Sequence, residues 1–119
     1  MKDDRVLLRH MLDEINFIIN ETEGMEFEHF MNNEVLKRAC SRSLEIIGEA
    51  AKNISPDFKK TSKDVEWKKI SGLRDKIVHH YFGVNWDIMW DVMKNKIPQL
   101  KTQTVLMLNS LDKDTESIF

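Results

Sequence analysis

A chain of 119 residues, 41% hydrophobic and 32% charged, is long enough for one domain with a modest core and too apolar for a disordered segment. The single cysteine, Cys40, excludes an internal disulfide. No apolar run reaches bilayer length, and the N-terminus lacks a signal peptide's hydrophobic region, so the expected setting is the cytoplasm.

The net charge of −2 hides a division. Between Asp13 and Glu34 stand seven acidic residues and no Lys or Arg, whereas Asp57 to His80 holds seven basic residues against four acidic ones. A basic segment in an acidic protein suggests local contact with an anion, although a solvated helix face accounts for the charge equally simply.

The first element runs from about Asp4 to Glu21, where Leu7, Met11, Ile15 and Ile18 recur at the spacing of an amphipathic helix. Gly24 breaks it. A second helix is expected from Phe27 or Asn33 to Asn53, with Leu36, Cys40, Leu44, Ile47 and Ala51 as its core stripe. Cys40 reads as a small buried hydrophobe. Gly48, Ala50 and Ala51 suit the close approach of a neighbour. Ser55-Pro56 stops this helix and starts a turn, with Ser55 as N-cap.

A third helix is predicted from the Asp64 cap to His80–Phe82, burying Trp67, Ile70, Leu73 and Ile77, with Gly83 as its C-terminal cap. A fourth follows Asn85, carrying Trp86, Met89, Trp90, Met93, Ile97, Leu100, Met107 and Leu111, and Pro98 should kink or divide it. The last residues, 113–119, read as a flexible tail after a domain of residues 1–112. No segment alternates with period two, so no sheet is expected. The fold class is all-α, an antiparallel bundle of four or five helices.

The region Trp67 to Trp90 crowds Arg74, Asp75, His79, His80 and Tyr81 around a helix end. Arginine offers a permanent charge with forked donors for phosphate, and histidine exchanges protons near neutrality. Together they form a minimal kit for metal-free phosphodiester cleavage in RNA, the histidine assisting the ribose 2′-hydroxyl or the leaving oxygen and the arginine stabilising charge on phosphorus oxygens. On one continuous helix Arg74 and His79 lie about 140° apart and roughly 7.5 Å apart along the axis. Convergence therefore requires Arg74's reach, a loosened final turn or a second copy across a symmetric dimer. Asp75 and His79, four apart, would face each other. The same residues could also be electrostatic caps on a bundle.

Metal ligation lacks a suitable His or Cys spacing, and no Gly-rich phosphate loop is present, so no cofactor is expected. His10 and His29 are isolated and read as surface or boundary residues. The acidic balance, with no Arg-rich recognition helix, argues against DNA-specific binding.

The segment RDKIVHHY matches the R-x4-H-x-Y motif with Arg74, His79 and Tyr81. With SLEIIGEAAKNIS, W-x2-I-x-GLRD and HYFGVNWDIMW around it, the chain resembles HepT proteins of the HEPN superfamily from about residue 4 to 111. The resemblance implies a helical bundle that dimerises and cuts RNA without metal, with Arg74 and His79 catalytic and Asp75 and His80 supporting. It also implies an adjacent nucleotidyltransferase antitoxin of the MntA kind, which silences the toxin by transferring AMP to Tyr81. The alternative is a non-catalytic subunit that binds and regulates such a nucleotidyltransferase.

Overall fold

The computed structural model describes residues 3–79 and 83–116, with the side chains of 77–79 and 114–116 left aside. Three long helical elements carry the core. Helix α1 is Asp4–Thr22, opened by the Asp3 carboxylate, which accepts from the Arg5 amide. The short α2 is Phe27–Met31, and α3 is Glu34–Asn53 behind an Asn33 cap. Both starts offered by the sequence are thus used, one for each helix. After α4 (Pro56–Thr61), α5 (Trp67–Ser71) and α6 (Leu73–Ile77) come two residues each of β1 (Val78–His79) and β2 (Gly83–Val84). Helix α7 (Trp86–Asp91), a π-turn (Val92–Lys96) and α8 (Ile97–Glu116) complete the described chain.

Polar contacts fix how the long helices lie. Asp4 at the start of α1 accepts from the amide and hydroxyl of Ser55, just past α3, while Glu14 in mid-α1 accepts from Ser43 in mid-α3. These two helices therefore run antiparallel. Arg5 reaches the Leu111 carbonyl and Asp112 near the end of α8. At the other end, Lys94 donates to the Thr22 carbonyl that closes α1. Helix α1 is thus antiparallel to both partners, and an all-α bundle is the observed class.

The predicted stripes supply most of the core, although Ile70, Trp86, Trp90 and Leu111 are only partly buried and the Ile77 side chain lies outside the described residues. Leu7, Met11, Ile15 and Ile18 of α1 and Leu36, Cys40, Leu44, Ile47 and Ala51 of α3 are all buried, as are Met89, Met93, Ile97, Leu100 and Met107. His10 and His29 are exposed. Burial lifts the Cys40 thiol to about 11, with the Glu21 charge adding to the effect, so it packs as an inert hydrophobe. The small-residue run of α3 serves a crossing: a Cβ added at Gly48 would lie 3.1 Å from the Ile70 carbonyl oxygen.

Three expectations are corrected. The third helix starts at Trp67 rather than the Asp64 cap, pauses at Gly72, and ends at Ile77 instead of His80–Phe82. A short antiparallel ladder, Val78 with Val84 and His79 with Gly83, stands where no strand was expected. Gly83 does adopt the left-handed conformation, φ 74°, but in this ladder rather than as a helix cap. Helix α8 runs to Glu116, and residues 117–119 of the expected tail lie outside the described residues.

Pro98 acts as foreseen, through a particular device. Its missing amide and its ring conflict with an α-helical bond to residue 94. The chain widens into the π-turn immediately before it, with the Ile97 amide donating to the Val92 carbonyl five residues back.

Candidate functional site

The site is built where α6 gives way to the β1–β2 ladder. Helix α6 is only five residues long and cannot hold itself. Its buried Leu73 anchors it, with the Leu73 Cβ 3.9 Å from where a Gly48 side chain would begin. Arg74, Asp75 and Lys76 are left exposed. Among the described residues neither Arg74 nor Asp75 forms an ion pair or a side-chain hydrogen bond, so the guanidinium fork remains available to an anion.

His79 lies on β1, two residues past the end of α6, with its backbone paired to Gly83. The helical relation between Arg74 and His79 therefore does not hold. The loosened final turn, one of the routes to convergence, is what the chain adopts. By the same break, Asp75 and His79 no longer share a helix face. His80 and Tyr81 lie outside the described residues, as does the His79 side chain.

Each side of the ladder has a support. Before it, the Trp67 indole donates to the Ser62 carbonyl at 3.1 Å, and Lys59 stands 5.9 Å over its ring. After it, the Asn85 side chain caps α7 by accepting from the Ile88 amide. Trp86 and Trp90 then pack on the fully buried Phe30 of α2, with ring centroids 6.1 and 5.1 Å away. The buried Lys37 lies 4.7 Å over Trp86 and pairs with Glu34 at 3.0 Å.

The sequence stripes did not single out Lys37, because Trp86, the ring it lies over, belongs to a helix far along the chain. Nor did they unite Lys96 with the basic segment, since it lies twenty residues beyond Lys76 in the chain. Glu66 accepts from Lys69 at 2.8 Å and stands 3.8 Å from Lys96. The hydrogen bond and charge of Lys69, then the charge of Lys96, hold the Glu66 carboxyl below its ordinary value, while Glu66 holds the Lys69 ammonium above its own. Both groups are fully exposed, so solvent screens the pair.

Among the described residues no group of three or more His, Cys, Asp or Glu side chains is placed to hold a metal ion. No described helix is long and apolar enough to cross a membrane.

Comparison with known proteins places this geometry in context. The profile of the family described as "Ribonuclease HepT-like" matches residues 11–107. A protein of Caldanaerobacter subterraneus subsp. tengcongensis, carrying the name of a candidate RNase, is 48% identical over 103 residues, covering 87% of this chain and 92% of its own. A second candidate RNase, from Methanocaldococcus jannaschii, is 36% identical over 118 residues, 98% of each chain. A protein of Thermococcus cleftensis named "Probable ribonuclease HepT" is 39% identical over 94 residues, covering 79% of this chain and 86% of its own. No solved structure matches the chain significantly.

Proposed function

Because the chain belongs to the HepT-like ribonuclease family, we propose that its activity is metal-independent endonucleolytic cleavage of RNA by Arg74 and His79, exerted as a homodimer and silenced by AMP transfer to Tyr81. The observation that carries this reading is the interruption of the helix inside the motif, which leaves Arg74 exposed on α6 and His79 on an extended segment beyond it.

The chemistry follows from the residue types. A neutral imidazole at His79 removes the ribose 2′-hydroxyl proton as that oxygen attacks phosphorus. The 5′-oxygen leaves and takes up a proton from the imidazolium so formed, directly or through water, and Arg74 stabilises the negative charge that gathers on the non-bridging oxygens. The products are a 2′,3′-cyclic phosphate and a 5′-hydroxyl. A dimer brings two such motifs into one cleft. Purified protein is expected to cleave single-stranded RNA in EDTA, with cyclic-phosphate ends. Complete inactivity in EDTA with recovery on adding a divalent ion would remove the metal-independent reading.

Silencing follows from charge. The Tyr81 phenol oxygen attacks the α-phosphorus of ATP, pyrophosphate leaves, and the adenylate puts negative charge and bulk two residues from His79. There it occupies Arg74 and repels the RNA phosphate. Tyr81→Phe protein is expected to keep cleaving RNA in the presence of ATP and a partner nucleotidyltransferase of the MntA kind, conditions that silence the unaltered protein and increase its mass by one adenylate. If the Tyr81→Phe protein is silenced equally, Tyr81 is not the switch.

A further inference from the structure

Beside the candidate site, α5 and α6 form a groove against the π-turn and the start of α8. Its floor is aliphatic, made by Ile70, Leu73, Val92, Ile97 and Leu100, and its rim carries Lys69, Lys76 and Lys96. Glu66 is the one acid among the described lining residues, and it is shared between Lys69 and Lys96, leaving Lys76 outside those bridges. Leu73 and Lys76 belong to the same one-turn helix as Arg74. Groove and candidate site are thus two sides of one element.

Helix α7, which follows the ladder, and α2, packed against it, carry the opposite sign. Asp87 and Asp91 of α7, Glu28 of α2 and Glu26 just before it are exposed. Two lysines packed on these tryptophans are already engaged: Lys37 is buried on Trp86 with Glu34, and Lys94 donates to the Thr22 carbonyl and lies over Trp90. For a polyanion gripped at Arg74, the lysine rim of the groove is thus a more favourable surface than the acids of α7 and α2.

We propose that this groove takes the single-stranded RNA flanking the bond that is cut, with its phosphates against Lys69, Lys76 and Lys96 and its sugar and base faces over the aliphatic floor. The inference rests on the ribonuclease reading above. Arg74 and Lys76 flank the exposed side of α6, so the strand leaves the cut bond by crossing this short helix. Continuity with the helix that bears Arg74 favours the substrate over an acidic protein segment, which the same rim would also attract.

The test is direct binding of a mixed-sequence 2′-O-methyl RNA oligonucleotide, which lacks the attacking hydroxyl, followed by fluorescence anisotropy in EDTA across a salt series. The K69Q/K76Q/K96Q protein is compared with unaltered protein and with R38Q/K52Q/K113Q, which removes the same charge from exposed positions elsewhere. Three lost phosphate contacts should flatten the slope of log affinity against log salt by about 2 and weaken low-salt binding about tenfold or more, with the control triple unchanged. Equal affinity and slope in the groove triple would overturn the proposal, as would an equal loss in the control. The proposal also fails if the groove triple stops binding an acidic amphipathic peptide but still binds the oligonucleotide as tightly. Failure of the underlying reading looks different: unaltered protein binds the oligonucleotide through these lysines but cleaves no RNA.

Discussion

His79→Ala protein is expected to cleave single-stranded RNA about 10²- to 10⁴-fold more slowly than the unaltered chain, the usual worth of a positioned proton-transfer group. Its helical circular-dichroism spectrum should be unchanged, because His79 lies on a two-residue strand outside every helix of the bundle. The size of the effect follows from what remains. On the proposed mechanism Arg74 still holds a phosphate, while the group assigned to take the 2′-hydroxyl proton is gone. Arg74→Lys is a useful companion, keeping the charge while losing the planar fork, and should lie between the unaltered protein and Arg74→Ala in cleavage rate. Undiminished cleavage by the His79→Ala protein would remove this residue from the mechanism and turn attention to His80.

Phe30→Ala is expected to destabilise the fold by about 3–5 kcal/mol, the cost of deleting a large ring from a close-packed site. For 119 residues that corresponds to a fall in Tm of about 12–20 °C. Phe30 is fully buried, and it alone among α2's residues reaches both Trp86 and Trp90. Helix α2 is five residues long and has no side-chain cap, so its own hydrogen bonds cannot keep it formed. The ring also ties α2 to the start of α7, immediately after the ladder that bears His79. Thermal unfolding followed by circular dichroism measures the loss, and Phe30→Leu should recover part of it. A Tm within a few degrees of the unaltered protein's would mean that the aromatic cluster does not hold these elements together.

The long helices were legible because burial imposes one period over many residues. The stripe Leu7, Met11, Ile15, Ile18 predicts both the helix α1 and the face it buries, and α3 ends at Asn53 where Ser55-Pro56 requires it to. Short elements were not legible in the same way. From Trp67 to Ile77 the pattern Trp67, Ile70, Leu73, Ile77 reads as one helix, but the chain divides at Gly72 and stops before His79. Over so few residues, packing of Leu73 and Ile70 against Gly48 of a distant helix outweighs local propensity.

The candidate site divides along the same line. The sequence by itself determined the helical class, most of the core stripes, the caps at Ser55 and Asn85, and the motif residues Arg74, His79 and Tyr81, because each depends on residue type and near spacing. Only the tertiary structure decided that His79 leaves the helix bearing Arg74, that Lys37 clamps Trp86, and that Lys96 joins Lys69 and Lys76 around one groove. Those relations join residues far apart in the chain, and such contacts are fixed by how helices pack rather than by any periodicity along one of them.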